Sequence, residues 1–120
     1  KDSCIDITGI INNAIKDCIV KEGICHVYMT ATTAALTINE NDTLLERDFM
    51  KLAKSLANED AMYAHPGNSH SHLRSSVFGV EKSMPVSNGA LVLGKWQRLL
   101  LWEFDTTNRK RQLIVSVGGD

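Results

Sequence analysis

Residue types able to do chemistry are concentrated in one stretch, His65-Pro66-Gly67-Asn68-Ser69-His70-Ser71-His72, which holds three of the four histidines in the 120-residue chain. Imidazole binds divalent metals and moves protons near neutral pH, so the cluster points to a metal site or to acid–base work. Spacing narrows the choice. His70 and His72 would share a face on a strand, but on a helix they diverge by about 200°. Ser69–Phe78 reads as a short helix, with Ser69 as a candidate N-cap, Leu73 and Val77 on one face and Gly79 at its end. A pair made by His65 and His72, closed across the loop, is then easier to build. No H-E-x-x-H, C2H2, P-loop, G-x-G-x-x-G or G-x-S-x-G pattern accompanies the cluster. By itself it reads equally well as surface loop histidines.

Other candidates are weaker. The helix start near Ser69 offers free N–H groups that can hold a phosphate, or simply be capped. Thr30-Ala31-Thr32-Thr33 is a run of small residues that lets a backbone approach a ligand, or a bend with surface threonines. Gly94-Lys95-Trp96-Gln97 combines close approach, a point charge and an amide, and a strand-start glycine explains it as well. Arg109-Lys110-Arg111 reads as a solvated turn with some prospect of meeting a phosphate. Glu40 and Asp48 bracket a helix start, where one serves the dipole or either faces a pocket. His26 lies within a strand as a packed or surface residue. Trp96, Trp102, Phe78 and Phe104 read as core.

The elements that must position these residues follow from periodicity. Thr8 to Glu22 reads as an amphipathic helix with Ile11, Ala14, Ile15, Cys18 and Ile19 on its buried face, Thr8 as N-cap and Gly23 beyond its end. Ile24 to Met29 and Ala34 to Ile38 read as strands. Asn41 or Asp42 caps a helix to about Ala57 whose core stripe is Leu45, Phe49, Leu52, Ala53 and Leu56. Glu81 to Val86 and Ala90 to Leu93 flank Ser87-Asn88-Gly89, a hairpin signal. Trp96 to Phe104 is apolar on both faces and therefore central in a sheet, and Gln112 to Val117 returns as a strand. Helices with a run of hairpins at one end give an α+β domain, mostly antiparallel, with two main helices and one short helix.

Size and composition fit one globular domain over residues 1–120: 43% of residues are hydrophobic, 22% are charged and the formal net charge is −1. That charge argues against broad binding to nucleic acid or to an anionic membrane surface, and no apolar run is long enough to span a bilayer. Cys4, Cys18 and Cys25 are odd in number and lack C-x-x-C spacing, so they read as small hydrophobes in a reducing, cytoplasmic setting.

Several segments together resemble the YjbQ family. Thr32-Thr33-Ala34-Ala35-Leu36-Thr37-Ile38-Asn39-Glu40 is similar to its threonine-alanine run ending in Asn-Glu. Asn68-Ser69-His70-Ser71-His72-Leu73 resembles its Asn-Ala-His-Ala-His-Leu segment. The stretch from Ser83 through Gly89 to Gly94-Lys95-Trp96-Gln97 resembles its signature ending in Gly-Thr-Trp-Gln, and Glu103-Phe104-Asp105, a basic turn and a last strand complete the order. The resemblance covers almost the whole chain. It implies a compact α+β domain assembled as a homotrimer, and a further β-strand in relatives before the Ile5-Asp6-Ile7-Thr8 segment, which this chain would lack. It also implies secondary thiamine-phosphate synthase activity, the joining of a pyrimidine diphosphate to a thiazole phosphate with release of diphosphate.

Carried onto this chain, the resemblance makes His72, His65, Glu40 and Asp48 the catalytic candidates, with His65 and His72 as ligands for a divalent metal, Mg²⁺ or Zn²⁺. Asn68, Ser69, Lys95, Gln97, Thr32 and Thr33 would bind a small phosphorylated metabolite. Two departures stand out: Ala31 replaces the family's usual His before the threonine run, and Lys95 replaces its usual Thr. The first removes a metal ligand or proton carrier and leaves open a non-catalytic oligomer that binds a metal or a phosphorylated metabolite. The second puts a new cation near the same pocket.

Overall fold

A computed structural model of the protein describes residues 3–119. The elements are β1 (Ser3–Asp6), α1 (Thr8–Ile15), β2 (Gly23–Met29), β3 (Ala34–Asn39), α2 (Thr43–Leu56), α3 (Ser69–Phe78), β4 (Glu81–Ser87), β5 (Ala90–Leu91), β6 (Arg98–Glu103) and β7 (Leu113–Gly119). They form two antiparallel sheets, in the orders β1-β6-β3 and β5-β4-β2-β7. The fold is α+β, as the pattern of elements predicts. No helix among the described residues is long and apolar enough to cross a membrane.

Strand β6 is apolar on both faces because both are covered. Leu99 and Leu101 join the larger core with Ile11 and Ile15 of α1, Val27 and Met29 of β2, Leu36 of β3 and Met84 and Val86 of β4. On its other face, Leu100 and Trp102 pack with Ala35, Ala53 and Phe104 under α2. Phe49 of α2 stacks on Trp102 at 3.9 Å between ring centroids, and the Trp102 indole N–H donates to Thr37 Oγ1 at 2.8 Å. Asn88 (φ 53°) and Gly89 (φ 76°) are both left-handed, the geometry a two-residue Asn-Gly hairpin requires.

Several local expectations are corrected. The first helix stops at Ile15 rather than Glu22, which makes it shorter than α3. The paired Asn12-Asn13 and the β-branched Ile19-Val20 give little helical propensity, and the chain must turn to enter β2. Ile19 is thus almost fully exposed. Thr8 lies inside α1, where its hydroxyl accepts from the Leu99 amide at 2.8 Å and its own amide donates to Asp6 Oδ1 at 3.0 Å. On α2 the Asp42 cap is as read, with Oδ2 accepting from the Leu45 amide, but only Phe49, Met50 and Ala53 reach the core, while Leu45, Leu52 and Leu56 stay exposed. The central strand begins at Arg98, and Trp96 sits outside it, exposed, with Lys95 Nζ over its ring at 5.2 Å.

Helix α3 turns its polar face inward and the face shared by Leu73 and Val77 outward. It buries His70, Ser71, Arg74 and Ser75 and leaves Leu73 and Val77 exposed. Its N-cap is Asn68 rather than Ser69. Two of these buried side chains are held by polar contacts: Arg74 Nε donates to the Ala57 carbonyl at 3.0 Å, its guanidinium lies over Phe104, and Ser71 Oγ donates to the Asn68 carbonyl at 2.6 Å.

Strands β2 and β7 close against each other where Gly23 faces Gly119. A Cβ at Gly23 would collide with the Gly118 carbonyl oxygen, a backbone atom of β7. Gly23→Ala therefore has to push β7 off its neighbour. The expected loss is about 1–3 kcal/mol, the usual range for overpacking, read as a lower urea midpoint with an unchanged slope.

Candidate functional site

The two sheets meet at a seam. The β2–β7 ladder ends at Met29 opposite Leu113, and the β3–β6 ladder begins at Ala34 opposite Glu103. Residues 30–33 cross between them, tied by the Thr30 amide to the Gln112 carbonyl at 3.1 Å and by the Phe104 amide to the Thr33 carbonyl at 3.1 Å. The start of α3 and the loop after β6 reach the same place. A cleft of about 420 Å³ opens there, lined on one side by Tyr28 and Thr30 to Thr33, and on the other by Asn68, His72, Asp105, Arg109 and Arg111.

Asp105 is the hub. Its side chain is 2% exposed. Oδ2 accepts from Thr33 Oγ1 at 3.0 Å and from Arg109 Nε at 2.8 Å; Oδ1 accepts from Asn68 Nδ2 at 3.3 Å and from the Thr106 amide at 2.7 Å. Burial alone would raise its pKa, but the Arg109 guanidinium, the Thr106 amide, Asn68 and Thr33 outweigh it and hold the carboxyl well below the usual carboxylate range. A second pair stands beside it: Arg111 donates through Nε to Glu103 Oε1 at 2.7 Å and through Nη2 to both Glu103 Oε2 and Thr33 Oγ1. Two carboxylates and two guanidiniums thus balance along one wall.

Of the predicted residues, Thr32, Thr33, Asn68 and His72 share this cleft. His65 joins them through His72, the two rings meeting edge-on with centroids 5.0 Å apart. His70 points into the protein, as the helical spacing requires. His72 also borders a second recess of about 400 Å³ along α3, with Ala31, Thr32, Ser75 and Ser76. A histidine at position 31 would therefore stand in the same space as His72. The Thr33 hydroxyl is committed to the Asp105–Arg111 network rather than presented to a ligand.

The remaining candidates lie elsewhere. Glu40 and Asp48 line a separate cleft of about 350 Å³ between α2 and the three-stranded sheet, with Trp102, Phe49 and Leu100 among its walls. Cys4 sits there too, its thiol pushed up to about 11 by burial and by the nearby Glu46 and Asp6, so it stays protonated at neutral pH. Lys95 lines a shallow recess with Glu40, Asn41 and Arg98. The Gln97 side chain accepts from the Gly94 amide at 2.7 Å and closes a local turn, and Ser69 is among the lining residues of neither cleft. Among the described residues, no group of three or more His, Cys, Asp or Glu is placed to hold a metal.

Sequence reasoning missed Asp105 and Glu103 as site residues and read Arg109 and Arg111 first as a solvated turn, with contact to a phosphate as the alternative. A signal was present: Glu103 and Asp105 are two apart at a strand end, so both face one side, and two arginines follow within reach.

Fold and cleft together define an α+β protein with a polar pocket where its two sheets join. The model for the family described as UPF0047 protein YjbQ-like matches residues 1–120, and the chain belongs to that family. It is 35% identical over 122 residues to a UPF0047 protein of Methanocaldococcus jannaschii (100% of this chain, 88% of the relative). It is 31% identical over 121 residues to YugU of Bacillus subtilis (98% and 92%). Among solved structures, a hypothetical protein of Aeropyrum pernix superposes with a TM-score of 0.91 at 30% identity, covering 99% of this chain and 90% of the other. An uncharacterised YjbQ/UPF0047-family protein of Clostridium acetobutylicum gives 0.89 at 34% identity, with 97% and 91% covered.

The Asp105 network has a pH signature. A carboxyl depressed in the folded state stabilises the fold above its unfolded pKa, near 3.9, and loses that contribution as pH falls towards the folded value. Asp105→Asn is expected to cost about 1.5–3 kcal/mol at pH 7, the range for hydrogen bonds to a charged group. In urea unfolding across pH, the gap between wild type and variant narrows below pH ~4.

Proposed function

We propose that the seam cleft binds a small phosphorylated metabolite and carries a group transfer of the secondary thiamine-phosphate synthase type, joining a pyrimidine diphosphate to a thiazole phosphate. The observation that carries the reading is the His65–His72 pair at a cleft walled by threonine, asparagine and arginine. His72 lines that cleft and would give a proton to the departing diphosphate as the carbon–oxygen bond breaks and the thiazole nitrogen bonds the same carbon. His65, in edge contact, orients that ring and exchanges its proton with solvent. Thr32 and Asn68 present a hydroxyl and an amide to the ligand.

A divalent metal would find two protein ligands here, His65 and His72. That is one fewer than a catalytic zinc site normally has, and Mg²⁺ prefers oxygen donors, so no step is routed through it. Glu40, Asp48 and Lys95 stand outside the cleft of their own chain; they could serve it only from a neighbouring subunit in the homotrimer that the resemblance implies.

A second reading is favoured by one residue. Ala31 puts a methyl group where a second imidazole would share the recess with His72, which suits a binding protein that no longer turns over.

Incubation of the purified protein with both precursors and Mg²⁺ or Zn²⁺ tests the first reading by release of thiamine phosphate. His72→Ala is expected to lower the rate by about 10²-fold or more, the usual contribution of a positioned acid–base group, and His65→Ala by less. Absence of product with tight binding of the phosphorylated precursors supports the second reading. A large gain on Ala31→His would identify the cleft as a weakened enzyme site.

A further inference from the structure

We propose that Arg109 is the anion-recognition residue of the seam cleft and that Asp105 is the positioning residue that presents it. The proposal rests on the reading that this cleft takes a phosphorylated ligand, and it assigns the contact that selects for the phosphate.

The two arginines of the cleft wall are used differently. Arg111 is 12% exposed, and its guanidinium is spent on Glu103 and Thr33 through Nε and Nη2. Arg109 is 53% exposed and borders the cleft, yet among the described residues only its Nε is engaged, at 2.8 Å from Asp105 Oδ2. Its two terminal nitrogens have no protein acceptor there. They form the planar fork that matches two oxygens of a phosphate group bidentately.

Asp105 cannot follow Arg109 if it moves. Thr33, Asn68 and the Thr106 amide hold the carboxylate from the crossover, from the start of α3 and from its own loop. Nε is therefore anchored to a fixed point, and less of the long side chain's rotamer freedom remains to be lost on binding. The pairing also neutralises Asp105, which would otherwise repel an anion from this wall. Asn68 and His72 stand on the same cleft, so a phosphate held by the Arg109 fork has a proton donor close by.

Titration of the full chain with inorganic diphosphate, followed by calorimetry and by amide chemical shifts, tests this assignment. Arg109→Gln is expected to weaken binding at least tenfold. Arg109→Lys should restore only part of that, since an ammonium keeps the charge but not the fork. Lys110→Gln removes the same charge one residue away on an exposed position and should leave affinity within about twofold, as a solvated charge does. Asp105→Asn should weaken binding by an intermediate factor, and Arg109→Gln should cost less in that background than in the wild type. Equal small losses for Arg109→Gln and Lys110→Gln would overturn the assignment, leaving only diffuse attraction. Loss of affinity in His72→Ala but not in Arg109→Gln would also sink it while sparing the cleft. Wild-type binding that leaves the Thr32, Asn68 and His72 amides unshifted would remove the cleft reading itself.

Discussion

Burying a carboxylate costs several kcal/mol unless donors meet its oxygens, and Asp105 satisfies that condition by gathering donors from three parts of the chain. Thr33 comes from the crossover between the sheets, Asn68 from the start of α3, and Thr106 and Arg109 from the loop after β6. Each of those segments is irregular backbone that no ladder holds. The carboxylate therefore sets their relative positions, and with them the shape of the cleft. His72 owes its place to this arrangement, because the helix that carries it begins at the residue Asp105 fixes.

The rest of the fold supplies a rigid frame for that hub. Strand β6 leads directly into Asp105 and is clamped on both faces, by the larger core on one side and by α2 on the other. Its two neighbours β1 and β3 pair with it antiparallel along most of its length. Glu103 at its end binds Arg111, which returns to Thr33 and so ties the loop back to the crossover. A site built at the end of a strand buried on both sides is held more tightly than one on a free loop.

Elements with clear periodicity or clear turn chemistry were legible in the sequence. The two-faced β6, the Asn-Gly hairpin, the Asp42 cap and the extent of α3 all follow from local patterns. The facing of α3 was not legible, because Leu73 and Val77 outrank Arg74 and Ser75 on any hydrophobic scale, and contacts remote in sequence, the carbonyl of Ala57 and the ring of Phe104 among them, make the polar face the better one to bury. The site was half legible. His65, Asn68 and His72 were identified and do come together. Asp105 was not: its pairing with Arg109 is local, but the Thr33 and Asn68 contacts that make it a hub come from distant parts of the chain, and local spacing carries no trace of those. Glu40 and Asp48 are near one another but belong to a different cleft.

The pairing of β2 with β7 also governs when the protein can acquire this cleft. Gly23–Met29 is made early in synthesis, but one of its two sheet neighbours is Leu113–Gly119, the last strand of the fold. β1 likewise waits for β6. Contacts of such long sequence separation carry a high loop-closure cost and slow folding. The nascent chain must therefore hold one edge of β2 and one flank of β1 open until residues 98–119 have emerged from the ribosome. The crossover at residues 30–33, tied to Gln112 on one side and to Phe104 on the other, is then among the last features to set.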